Sequence, residues 1–115
     1  MNQHQGGAQG NPNYVYYKLA ASEYGTNGSS ACDSSNGAGS CVFHDVTLGD
    51  IDVNCAGSFN CFGYAGGRHH SMGNPDGALS VSSTTFTPAY GTTVGWDFAT
   101  GIGTLDAYKL VMNWP

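Results

Sequence analysis

Apolar side chains are thinly spread along this chain, and only two stretches repeat them at a helical period. Between Asn13 and Tyr24, the residues Tyr17, Ala20, Ala21 and Tyr24 fall at i, i+3, i+4 and i+7. Asn11-Pro12 ahead of them reads as an N-cap followed by proline at the first helical position, and Gly25 reads as a stop. Near the other end, Ala107, Leu110, Val111 and Trp114 form one apolar stripe behind Asp106, a natural N-cap. A helix of that length is marginal alone, so it must dock on a larger body.

Strand signals are shorter. Cys41 to Thr47 places Val42, Phe43 and Val46 in a weak alternation that predicts a short strand running into a metal or turn loop. Asn74-Pro75-Asp76-Gly77 is a turn signal, and Leu79 to Phe86 behind it is rich in strand formers through Val81, Thr84, Thr85 and Phe86. Between these pieces, 26–40 is almost wholly Gly, Ser, Asn and Ala around Cys32, and 50–67 reads as a second irregular excursion. No internal repeat and no second domain stand out, so residues 1–115 read as one small α/β domain, loop-rich, with short strands and a terminal helix.

Composition narrows the classes. Charged residues are only 10% of the chain, against the roughly 25% of an ordinary globular domain. Glycine, at 18 of 115 residues, is more than twice its usual ~7%. The net charge of -5 reflects a scarcity of bases, since Lys18, Arg68 and Lys109 are the only ones. Three scattered cations cannot build a phosphate-neutralising surface, which argues against nucleic acid and against an anionic membrane surface as partners. No apolar run approaches the length of a membrane span.

Cys32, Cys41, Cys55 and Cys61 allow three disulfide pairings. The sequential one closes two small loops, each worth about 2–3 kcal/mol by loop-closure entropy. Zinc held by all four thiolates is the rival, but the spacings miss the usual CxxC knuckles. Disulfides imply an oxidising compartment and hence a secreted protein. The polar start, Met1-Asn2-Gln3-His4, carries no secretory signal, so the chain is expected to be part of a longer product or a truncated one.

The chemistry-bearing candidates are Asp45 and Asp97, each set among small residues that leave carbonyl oxygens free to face a shared centre. They do not fit the contiguous calcium-loop pattern. A site assembled from two loops would add the carbonyls of Val46, Thr93 and Gly95, with water completing an oxygen shell suited to calcium. The plain alternative makes Asp45 a strand-end cap and Asp97 a turn former. His69 and His70 are adjacent and would face opposite ways in a strand. His44 beside Asp45 invites a triad, but no serine stands in a nucleophile elbow. Glu23 is the only glutamate, and nothing in the sequence names its partner. Gly101-x-Gly103 lacks the strand and helix context of a nucleotide loop.

Taken in order, Phe43-His44-Asp45-Val46-Thr47-x-Gly49 and Gly95-Trp96-Asp97-x-x-Thr100-Gly101-x-Gly103-Thr104-Leu105, followed by a short helix ending in Trp114, resemble the C-terminal end of the sedolisin family. These are the serine-carboxyl, or kumamolisin-like, peptidases. The leader Gln9-Gly10-Asn11-Pro12-Asn13, with Tyr17, Leu19 and Ala20, resembles the stretch after that family's nucleophile helix. The cysteine-bearing insertions resemble bacterial, particularly acidobacterial, members.

The resemblance implies the C-terminal part of a subtilisin-like α/β catalytic domain. It makes Asp45 and Asp97 calcium-ligating carboxylates, with the Val46, Thr93 and Gly95 carbonyls as further ligands. Thr93 departs from the glycine usual at its position, which a carbonyl ligand tolerates if the backbone angle does not demand glycine. The family's catalytic Glu and Asp, its serine in a Ser-Gly-Thr-Ser segment and its oxyanion-hole Asp all lie upstream of the matched stretch, so no catalytic residue is carried over. The implied partner is the missing upstream catalytic region, with protein or peptide substrate only in the intact parent. The competing reading is a secreted, disulfide-stapled, non-catalytic module that binds a partner or glycan.

Overall fold

A computed structural model describes residues 1–64 and 76–115. The His69-His70 pair and the Asn74-Pro75 half of the turn signal lie outside the described residues. The elements run α1 (Asn2–Gln5), α2 (Asn13–Glu23), β1 (Phe43–His44), β2 (Asn54–Cys55), β3 (Cys61–Phe62), β4 (Gly77–Leu79), β5 (Thr104–Leu105) and α3 (Ala107–Met112). The protein is a mixed fold of helices and antiparallel strands, small and loop-rich. Two compact units divide it: Met1–Gly49 with Thr92–Pro115, and Asp50–Gly91.

In the first unit the helix signals act close to where the sequence implied, with α2 starting one residue later, so that Pro12, expected at the first helical position, is its N-cap. Asn11 Oδ1 accepts the Asn13 N–H at 3.1 Å, and the Pro12 carbonyl already accepts from Tyr16, so proline occupies the opening turn. Tyr24 closes α2, and Gly25 follows with φ +58°. The buried face is rotated from the expected stripe, however. Ala20 and Tyr24 join the core with Tyr16 packed against it, while Tyr17 and Ala21 stay exposed.

Tyr16 makes edge-on contacts with Phe43 and Trp114 at ring centroid distances of 5.8 and 6.1 Å, which tie α2 to the strand and to the chain end. Asp106 caps α3 by accepting the Lys109 N–H at 3.0 Å. Of the predicted apolar stripe, Leu110 and Trp114 are buried, Val111 is half-buried and Ala107 faces solvent. The helix ends before Trp114, whose indole N–H donates to Gln9 Oε1.

The strand expected over Cys41 to Thr47 shrinks to β1, which pairs antiparallel with β5 through Phe43–Leu105 and His44–Thr104. Glu23 accounts for part of its placement. Its carboxylate accepts the N–H groups of Val42 at 2.6 Å and Phe43 at 2.9 Å, which clamps the end of α2 onto the strand entry.

The second unit holds a three-stranded antiparallel sheet in the order β2-β4-β3. Two of its strands lie in the stretch that reads as an irregular excursion. Leu79–Phe86 is not the continuous strand its composition suggests. Ser80, fully buried, accepts N–H bonds from Ser82 and Thr87, and the Ser82 hydroxyl accepts from Thr84 and Thr85. These local side-chain bonds fold the segment back on itself in place of a ladder.

Both disulfides follow the sequential pairing, Cys32–Cys41 and Cys55–Cys61, with Cα atoms 5.4 and 5.8 Å apart. The thiolate zinc alternative is thereby replaced. Among the described residues no helix is long and apolar enough to cross a membrane.

Candidate metal centre

Asp45 follows β1 directly and is 1% exposed. Its main chain is fixed by the cysteine loop: its N–H donates to the Cys32 carbonyl and its carbonyl accepts from Ser34, both at 2.8 Å. The side chain is half satisfied. Oδ2 accepts the Gly95 N–H at 2.8 Å, while Oδ1 is buried with no hydrogen-bond partner among the described residues. Leaving such an atom unpaired costs about 1–3 kcal/mol, and more for a charged group.

Asp97, also buried, is organised by its own loop. Oδ1 accepts the Thr100 N–H at 2.7 Å and the Thr100 hydroxyl at 3.1 Å, and Oδ2 accepts the Thr93 N–H at 2.9 Å. Burial works against the charged carboxylate, but the bonds from Thr93 and Thr100 outweigh it and hold the pKa below the usual range. The D-x-x-T spacing that lets Thr100 reach back is visible in the sequence and was not read there as a support for Asp97.

The two loops meet through Gly95. It is buried at φ +83°, and a Cβ there would sit 3.0 Å from the Thr26 carbonyl, so both the angle and the space require glycine. Thr93, by contrast, lies outside the positive-φ region, so the absence of glycine there costs no backbone strain. Gly103 makes a second close approach, since a Cβ would collide with the His44 carbonyl beside Asp45.

Among the five predicted ligand residues, the structure brings Gly95 onto Asp45 and Thr93 onto Asp97, with Val46 adjoining Asp45. No hydrogen bond joins Asp45 to Asp97 directly. Both carboxylates act on the buried phenol of Tyr24, whose hydroxyl donates to the Ile102 carbonyl at 2.8 Å. Burial, then Asp45 and Glu23, with smaller contributions from Tyr17 and Asp97, push that phenol up to about 12.

The carbonyl oxygens of Val46, Thr93 and Gly95 accept no hydrogen bond from the described residues. Nor does any group of three or more His, Cys, Asp or Glu side chains converge among the described residues. A cation bound here would therefore draw much of its shell from main-chain oxygens. With one free carboxylate oxygen, a second carboxylate already oriented and three free carbonyls, the donor set is all oxygen and fits a hard cation such as calcium.

One residue that sequence reading passed over also belongs to this region. Asp33 lies beside Asp45 in a parallel bridge, and its carboxylate accepts from the Ser35 N–H and hydroxyl and from the Thr47 hydroxyl. The Ser35 bonds hold its pKa below the usual range. His44, the tempting neighbour of Asp45, is spent elsewhere, its Nε2 lying 3.2 Å from the Cys41 carbonyl.

Comparison with protein-family models, with curated proteins and with solved structures returned no match in any of the three. The class that fold and site define is a small mixed α/β protein stapled by two disulfides.

Proposed function

We propose that this chain is the C-terminal, calcium-binding structural portion of a sedolisin-type serine peptidase, secreted and contributing scaffold rather than catalytic groups. The observation that carries the reading is the buried, half-satisfied Asp45, with Oδ1 lacking a partner among the described residues and Oδ2 held by the opposing loop. Asp45 and Asp97 would hold the ion with the carbonyls of Val46, Thr93 and Gly95. Bound there, calcium would neutralise two buried carboxyl groups and tie the strand end to the 93–97 loop. This chain's own contribution is to hold those oxygens ready: Gly95 orients Asp45, and Thr93 with Thr100 orients Asp97.

A second support is an apolar groove of about 360 Å³ in the same unit, lined by Tyr17, Ala20, Ala21, Tyr24, Trp96 and Ile102. Trp96 and Phe98 stack edge-on with centroids 4.9 Å apart, and both remain exposed. Such a face suits further protein packed against it, as the upstream catalytic region of a peptidase would be. The same exposed aromatic residues and the two disulfides also favour the competing reading, an independent binding module.

Calorimetric titration of the purified chain with calcium, paired with circular dichroism, separates the two. The peptidase reading expects saturable binding with a gain in ordered structure, and loss of the tighter binding in Asp97→Asn. A well-folded protein that ignores calcium supports the independent module instead.

A further inference from the structure

Beside Asp45 lies a cleft of about 230 Å³ whose lining includes Asn27, Ser29, Ser30, Asp33, Asp45 and Thr47. From the 93–97 loop only Val94 lines it, and Thr93, Gly95 and Asp97 do not. Hydroxyl, amide and carboxyl groups gather there around one buried carboxyl, with Val94 and the carbon atoms of the polar side chains completing the wall. Asp45 is 1% exposed, and its Oδ1 is the one buried side-chain oxygen or nitrogen without a partner among the described residues.

Asp33 faces the same space with spare capacity. Its Oδ1 accepts two hydrogen bonds from Ser35, but its Oδ2 accepts only one, from the Thr47 hydroxyl at 3.0 Å. No ion pair neutralises either aspartate among the described residues. Lys109 is held by Asp106 and by the Gly39 and Cys41 carbonyls. The placement is built rather than incidental: the Cys32–Cys41 disulfide anchors the residue before Asp33, and the paired backbones of Asp33 and Asp45 fix the distance between the two side chains.

We infer that this cleft is a second hard-cation site, in which a divalent ion such as calcium is held by Asp45 Oδ1 and Asp33 Oδ2. Hydroxyl and amide oxygens from Thr47, Ser29, Ser30 and Asn27 and water fill the remaining positions. Oxygen donors without sulfur or free imidazole select a hard ion over zinc or copper. The cleft has room for a partly hydrated ion. Asp97 plays no part in this site; the two sites share the Asp45 carboxylate, whose unpartnered Oδ1 serves the cleft and whose Oδ2, turned to the 93–97 loop by the Gly95 N–H, serves the site proposed above.

The test is calorimetric titration of the full chain with calcium chloride, for wild type, Asp33→Asn, Thr47→Val and Asp97→Asn, each checked for folding by near-ultraviolet circular dichroism. Wild type is expected to show two classes of binding. Asp33→Asn should weaken one class by at least about tenfold, because ligand charge sets affinity in such sites. Thr47→Val should weaken the same class without changing charge, and it decides the matter if Asp33→Asn does not fold. If Asp33→Asn and Thr47→Val bind as wild type while Asp97→Asn loses binding, the second site is wrong and the first stands. If Asp97→Asn binds as wild type while Asp33→Asn is impaired, the cleft holds the ion and the first ligand set is wrong. Absence of calcium binding in folded wild type overturns both.

Discussion

Asp97 concentrates the balance of forces at single residues. Burial alone would favour its neutral form, yet three N–H and O–H donors from its own loop hold its pKa below the usual range. A folded-state pKa below the unfolded value means the stabilisation is complete above about pH 3.9. It is lost as the pH falls through the lower folded value. Replacing Asp97 with Asn leaves one acceptor and turns an amide N–H toward other donors. The cost at neutral pH is expected to be about 1.5–3 kcal/mol, the range for hydrogen bonds to charged groups. Denaturant unfolding of both proteins at neutral and strongly acidic pH checks the sign. The gap between them should narrow in acid, and an equal gap at both pH values would refute the carboxylate as its source.

At the scale of elements, what the sequence made legible was local. The proline-led start of α2 and the Asp106 cap of α3 depend on neighbours within four residues, and both are within one residue of where the pattern placed them. What escaped was non-local or governed by side-chain hydrogen bonds. β2 and β3 are two residues each and exist only by pairing with β4, so no run of strand formers announces them. Ser80 and Ser82 override the β-rich composition of Leu79–Phe86 by capturing nearby backbone groups. In the candidate site, Asp45 and Asp97 were legible as residue types in a spacing, whereas Asp33 was not, because the disulfide loop that brings it to Asp45 carries no periodicity. Glu23 shows the same limit. Its partners Val42 and Phe43 lie across an irregular loop that carries no pattern to announce them. Glu23→Gln retains the shape but sets an amide donor against one of their N–H groups. It should lower stability by about 1.5–3 kcal/mol, read as a fall in the thermal midpoint with helix content preserved. A midpoint equal to wild type would show that the clamp contributes nothing.

Across the whole molecule, the buried apolar residues among the described ones are few, and half of them are cysteine or alanine, so the large side chains of the core come down to Tyr24, Val42, Phe43, Leu110 and Trp114. Chains with so modest a core depend on cross-links and bound ions for stability. The two disulfides differ in what they brace. Cys55–Cys61 lies in the Asp50–Gly91 unit with the β2-β4-β3 sheet, while Cys32–Cys41 sets the backbone against which Asp45 is bonded. Each closes a short loop and should contribute about 2–3 kcal/mol through the unfolded state. In a chain of this size that corresponds to a fall of roughly 10 °C in thermal midpoint when either pair is replaced by serine. Stability therefore does not distinguish them, but calcium does. Freed from Cys41, Cys32 no longer holds the carbonyl that receives the Asp45 N–H, and Asp33 loses its fixed distance from Asp45. The double replacement Cys32→Ser with Cys41→Ser should therefore weaken calcium binding as well as stability, whereas Cys55→Ser with Cys61→Ser should lower stability and leave calcium affinity unchanged. Titrating both variants at a temperature where each is folded makes the comparison. Equal calcium affinity in the two variants would mean that the disulfide staples the chain without organising the site. A loss confined to the Cys32–Cys41 variant would tie the cross-link to the ion through Asp45.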